Sequence, residues 1–341
     1  MKRLISLVAV LGLIAFAGVA VAGDYHVGAT LICSDCHVMH YSNSHGYTVG
    51  GPTPALAAGG PFADLLRAEP NDLCLTCHDG QTFAPDVFGN NSNTNVRLAG
   101  ALNADPLHRA NDVGYDGING HTLWSTATAP GGTFSTTVGL ECVNCHAQHG
   151  IATQYRNLLN RGAFTGKAVT YAVSTNDLTK DVFERAANAY SVVDVDYNEP
   201  DVTKSAYGNW CATCHTNFHG AGGSANMGGL SGGTGPTGNA NPWLRHPTSD
   251  VNIGNTPTTT YISSITVFNS RTNRVKVMDS QGLWNGTTAD NTVTPSCFSC
   301  HKSHGNKNAF GLIYMTGTGT VAEEGDGGIL KDLCKQCHVQ G

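Results

Sequence analysis

The chain has 341 residues, a formal net charge of −6, and only 13% charged side chains. An acidic balance with no basic stripe excludes a nucleic-acid surface. Glycine, 42 residues of the total, stands well above its usual share of about 7% and excludes a chain built of long helices.

Residues 1–22 read as a secretory signal peptide. Lys2 and Arg3 form the charged start, Leu4 to Val19 the apolar run, and Ala20-Val21-Ala22 the small-residue cleavage site. A transmembrane anchor competes for the apolar run, and the small-residue ending favours cleavage. No cysteine adjoins that point to carry a lipid, and no later stretch is apolar enough to span a bilayer. The mature chain is therefore expected to begin near Gly23, to be secreted and to have no membrane span.

Beyond the leader comes Cys33-Ser34-Asp35-Cys36-His37, and the same spacing returns five times. It recurs at Cys74 to Cys77 with His78, Cys142 to Cys145 with His146, and Cys211 to Cys214 with His215. The last two are Cys297 to Cys300 with His301, and Cys334 to Cys337 with His338. Two cysteines at this spacing followed at once by histidine form the attachment signature of haem c. Both sulfurs become thioethers and the adjoining imidazole is the proximal iron ligand. A disulfide framework or zinc sites would also use paired cysteines. Neither requires histidine after every second cysteine, a coincidence with a chance on the order of 10⁻⁸. Six motifs use all twelve cysteines, so six covalently attached haem c groups are expected.

Residues 23–341 read as a single hexahaem domain, mostly loop, with short helices and a β-hairpin wrapped round a chain of stacked haems. The haems themselves are expected to form the core, with thioethers as staples. A repeat is visible: a lone histidine, a motif with a further histidine three residues on, then a plain motif. It marks two-haem modules at about 23–110, 111–220 and 221–341. Between motifs, Pro61 to Ala68 and Ile329 to His338 suit short helices, and Thr175 to Ala189 a longer one. Gly220 to Asn241 reads as a glycine-rich loop. Thr258 to Phe268 and Arg274 to Met278 alternate as the arms of the hairpin.

The second axial ligand decides the chemistry, because a closed iron transfers electrons and an open one binds substrate. Nine histidines remain beyond the six proximal ones. Distal candidates are His26, His40, His121, His149, His219, His246 and His304, of which His26 or His219 is surplus. His45 and His108 repeat nowhere and read as surface residues. At the spacing of His40, His149 and His304 the ring faces away from its own iron, toward a neighbouring one. The four methionines beyond Met1 are too few to serve every haem, and Met39 reads as packing. With every iron closed, the chain is expected to relay electrons, with no catalytic residue. A multihaem redox enzyme and a monomeric periplasmic shuttle are the competing readings.

The motif order resembles the filament-forming, six-haem outer-surface c-type cytochromes of metal-reducing bacteria, the extracellular cytochrome nanowires. The resemblance rests on Cys33 to His40 with its Met39-His40 pair, Ala129-Pro130-Gly131-Gly132, and Trp210 before Cys211. Leu244-Arg245-His246-Pro247 and Leu333-Cys334 to His338 complete it. This chain is shorter between motifs, and the hairpin segment has no counterpart. The resemblance implies a homopolymer in which His40 leaves its own subunit to close the iron on His301 of the next. It also implies partners among other c-type cytochromes or outer-membrane conduits, and extracellular acceptors such as metal oxides.

Overall fold

The computed structural model describes residues 26, 31–38, 62–81, 83–88, 99–103, 119–130, 132, 134–149, 157–159, 195–196, 206–211, 213–215, 253, 264–271, 275–278, 283–284, 293–306, 308–313 and 330–338. All twelve cysteines and their six following histidines lie within them. The described helices are short: α1 (Cys33–Cys36), α2 (Pro70–His78), α3 (Ala206–Cys211), α4 (Ile265–Ser270) and α5 (Leu330–Cys334). Strands β1 (Val195–Asp196) and β2 (Leu283–Trp284) pair antiparallel, Val195 with Trp284. Most other described backbone is turn and coil, and no described helix is long and apolar enough to cross a membrane.

The six motifs are of two alternating kinds. The first, third and fifth open a turn of their own, helical at Cys33–Cys36 and 3-10 at Cys142–Asn144 and Cys297–Ser299. In each, the residue before the second cysteine folds back on the backbone ahead of the first. Ile32 N donates to Asp35 Oδ2 at 2.9 Å, Glu141 N to Asn144 Oδ1 at 2.8 Å, and Ser296 N to Ser299 Oγ at 2.9 Å. Short polar side chains suit this reach, as they do at helix N-termini. The second, fourth and sixth motifs instead sit at a helix end: α2 carries Cys74 to His78, α3 ends on Cys211 and α5 on Cys334. Pro70 starts α2, where its missing N–H removes no helical hydrogen bond.

After each odd motif the chain returns to form one antiparallel bridge, His37 with Leu66, His146 with Leu158, and His301 with Leu312. Backbone bonds flank every bridge, such as Arg67 N to Cys36 O, Leu159 N to Cys145 O and Ile313 N to Cys300 O. The residue before each leucine is left-handed: Leu65 (φ 59°), Asn157 (φ 53°) and Gly311 (φ 68°), with Asp64 and Phe310 also at positive φ. Holding a bulky residue there costs on the order of 1–3 kcal/mol.

Two apolar clusters support the motifs. One joins α4 to α5 through Phe268, Val277, Ile313 and Leu333, with Cys300 and Cys337 against it. The other gathers Leu75, Phe88, Leu102 and Leu123, with Cys142 against it. The protein thus contributes apolar packing of its own at both ends.

Two local expectations are overturned. Residues 62–68 are not a helix: a 3-10 turn at Ala63–Leu65 leads into the Leu66 bridge, and the helix entering the second motif is α2. The hairpin also fails, because its first arm contains α4. Ser264 caps that helix by accepting from Val267 N at 3.3 Å. Ile265 and Phe268, one turn apart, both pack into the core, so helical spacing wins over alternation. Leu330–Cys334 is helical within the predicted 329–338 span. The signal peptide, Thr175 to Ala189 and Gly220 to Asn241 lie outside the described residues.

Candidate haem-ligating site

No disulfide joins any of the twelve cysteines. The motifs nonetheless crowd one another. A thiol–thiol hydrogen bond links Cys74 of the second motif to Cys142 of the third; it lowers the Cys74 thiol and raises Cys142. Burial, then Cys74 and Asp35, push the Cys36 thiol up to about 11. Burial and Cys334 push Cys337 up to about 12. The first three motifs thus form one neighbourhood, and the fifth and sixth another.

Six imidazoles are held in the same way. Nδ1 of His37 bonds to Asp64 O (2.8 Å), His78 to Pro85 O (3.0 Å), His215 to Pro130 O (2.8 Å) and His301 to Phe310 O (2.7 Å). Two distal candidates match them, His26 to Gln148 O (3.0 Å) and His121 to Ser303 O (2.7 Å). A carbonyl only accepts, so Nδ1 is the donor in each bond, and Nε2 is left as the lone-pair nitrogen. The left-handed turns at Asp64 and Phe310 aim two of these carbonyls. Burial, with His146, His121 and His78 nearby, lowers His304 to about 3 and keeps it neutral, the form a metal requires.

Eight of the described histidines meet in pairs. Ring centroids lie 6.1 Å apart for His26 and His78, and 6.0 Å for His37 and His149. They lie 6.0 Å apart for His121 and His215, and 6.3 Å for His146 and His304. A metal–nitrogen bond of about 2 Å, with each nitrogen about 1 Å from its centroid, puts two imidazoles opposed across one iron roughly 6 Å apart. The four centroid separations match that spacing. A closed zinc site needs four protein ligands, and among the described residues no three or more His, Cys, Asp or Glu side chains come together to hold an ion; two imidazoles per site would suit an iron whose remaining ligands a haem supplies. His40, His219 and His246, like His45 and His108, lie outside the described residues.

The pairs obey a rule. The lone histidine of a module meets the even motif of the same module: His26 with His78, His121 with His215. The histidine three residues past an odd motif meets the odd motif of the preceding module: His149 with His37, His304 with His146.

Other residues position these groups. Buried Asn71 ties α2 to the third motif, its Nδ2 donating to Leu140 O (3.1 Å) and its Oδ1 accepting from Cys142 N (2.9 Å). Gly305 lies at the crossing of residues 99–103 and 119–121, and His121 N donates to His304 O at 2.8 Å. A Cβ on Gly132 would collide with Cys214 O, and Pro130 supplies the carbonyl for His215. Pro130 and Gly132 of the Ala129-Pro130-Gly131-Gly132 string thus both serve the fourth motif. Trp210 Nε1 donates to Leu159 O (2.8 Å) and joins the fourth motif to the third.

Paired thiols, an imidazole following each pair and, at four motifs, a second imidazole about 6 Å away fit the haem sites of a multihaem c-type cytochrome. Among known proteins the chain is similar to the c-type cytochrome OmcS of Geobacter sulfurreducens. It is 25% identical to that protein over 347 aligned positions, 82% of this chain and 78% of that protein. The resemblance read from the motifs thus holds for an OmcS-type cytochrome. Two solved structures are also similar, the OmcS nanowires of G. sulfurreducens by cryo-electron microscopy and the outer membrane cytochrome S filament of that organism. The first is 17% identical, covers 92% of this chain and 94% of its own, and has a TM-score of 0.41. The second is 19% identical, covers 84% of each, and has a TM-score of 0.38. No family model matches the chain.

Proposed function

We propose that the chain is a secreted six-haem cytochrome that conducts electrons outside the cell and polymerises into a filament. Each haem is tethered by one cysteine pair and its iron is closed by two imidazoles. When bound, the haems supply one-electron exchange at iron, and closure by two neutral histidines favours electron transfer over substrate binding. The chain's own part is to fix each Nε2, hold paired rings opposed and crowd the motifs so that neighbouring haems lie close.

The observation that carries the polymer is the pairing rule. Applied to the third module, the lone His246 serves the iron on His338. Applied to the first, His40 serves the odd motif of a preceding module, and within one chain there is none. The third module of a neighbouring copy supplies it, leaving His301 of one subunit for His40 of the next. A head-to-tail contact that does not close on itself grows into a filament. His219 is then the surplus histidine.

His40→Ala tests this reading. It is expected to abolish filaments in electron micrographs of secreted material and to open one iron in six to carbon monoxide. Intact filaments with six closed irons would overturn the polymer. Electrons would enter from other c-type cytochromes or outer-membrane conduits and leave to acceptors such as metal oxides.

A further inference from the structure

Among the described residues four large apolar side chains face solvent: Leu65 (49% exposed), Phe83 (51%), Val138 (63%) and Phe310 (63%). Scattered exposed apolar residues need no explanation, but three of these share one kind of place. Phe310 itself supplies the carbonyl that takes the Nδ1 proton of His301. Leu65 follows Asp64, which does the same for His37, and Phe83 lies two residues before Pro85, which does so for His78. Val138 precedes the third motif. Leu65 and Phe310 carry a second cost, because both are left-handed, at φ 59° and 63°, a conformation unfavourable to a bulky side chain. Aiming the carbonyl requires the turn, not the bulk. In the residue before the bridging leucine, the third motif uses Asn157 and the fifth Gly311, for which a positive φ comes easily.

A side chain that is both strained and exposed gains from whatever covers it, and the ring held by each turn identifies the cover. Nδ1 is committed to the carbonyl, so each ring meets its iron through Nε2, and the haem face on that side looks onto the turn. We propose that Leu65, Phe83 and Phe310 are haem-packing residues, the apolar floors beneath the proximal faces of the first, second and fifth haems. A porphyrin is a broad apolar surface, and each of these side chains is carried by the turn that holds the ligating ring. The three belong to three different motifs, which suits one haem each better than a single docking surface for another protein. Apolar cover keeps water from the iron's surroundings. Water favours the more highly charged oxidised iron, so the cover raises the reduction potential of the haem above it.

This inference rests on the haem reading, and the two fail separately. The experiment is a spectroelectrochemical titration of the full secreted protein, with haem content measured by pyridine haemochrome and filaments by electron microscopy. Leu65→Gly and Phe310→Gly remove the side chain and relieve the left-handed backbone at once. Each is expected to keep six haems and to move about one sixth of the titration, the share of one haem in six, to lower potential. A curve that overlays the wild type, with six haems present, overturns the inference and leaves the cytochrome reading standing. Filaments lost with that unchanged curve also overturn it, and assign the side chains to contact between copies. Should the glycine variants fail to load haem, Phe83→Ala decides, since Phe83 has no left-handed backbone. A shift of about one sixth of its curve to lower potential supports the inference, and an unchanged curve overturns it. Absence of haem from the wild-type protein would instead overturn the function itself.

Discussion

An imidazole can offer a metal only the nitrogen that does not hold its proton, and the backbone here makes that choice six times. Carbonyls of Asp64, Pro85, Pro130 and Phe310 take the Nδ1 proton of proximal rings, and Gln148 and Ser303 those of His26 and His121. Because the acceptors are main-chain atoms, side-chain substitution leaves the tautomers intact and changes at the rings themselves can be read cleanly. His26→Ala is expected to open the iron on His78, shifting about one sixth of the Soret intensity under carbon monoxide, the share of one open haem among six. His219→Ala is expected to leave all six irons closed. The reverse outcome would exchange the two assignments. His149→Ala should likewise open the iron on His37, a change visible by electron paramagnetic resonance as one low-spin signal lost.

Between elements, single residues carry the joints. Asn71→Ala would strip Cys142 N and Leu140 O of their partners at a site that is 1% exposed, at a cost of about 2–4 kcal/mol. Thermal melting followed at the Soret band should fall by roughly 5–10 °C. Gly305→Ala is expected to lose about 2–3 kcal/mol. Its φ is 148°, and a Cβ would meet Ala101 O at 2.6 Å and the Gly120 Cα at 2.8 Å. Much of this layer was readable in advance. The six motifs announced themselves by spacing, and Asp35, Asn144 and Ser299 are a visible series of short polar residues. So is the string ending in Leu66, Leu158 and Leu312, each preceded by a left-handed residue, although neither series stands out until the bridges are known. The hairpin misled because Tyr261, Ile265 and Val267 satisfy strand alternation while Ile265 and Phe268 satisfy helical spacing, and Ser264 tips the balance by capping. Which ring meets which was not legible at all. His121 is anchored by Ser303, 182 positions away, and no local pattern encodes a contact of that reach.

At the scale of the described residues, later segments lend imidazoles backwards to earlier ones, His149 to His37 and His304 to His146. Contacts between such distant positions make folding slow, and they make every module incomplete alone. A truncated chain of residues 23–220 is expected to leave the iron on His146 open, because His304 is missing, while the iron on His37 stays closed through His149. Carbon monoxide difference spectra of that fragment against the full chain check this. The dependence also sets an order of assembly after export. His304 lies far beyond His146 in the chain, so the iron on His146 would stay open until the C-terminal segment has folded back onto it. A nonsense mutation just upstream of residue 304 would therefore remove the sixth motif and, in addition, leave the iron on His146 open to peroxide.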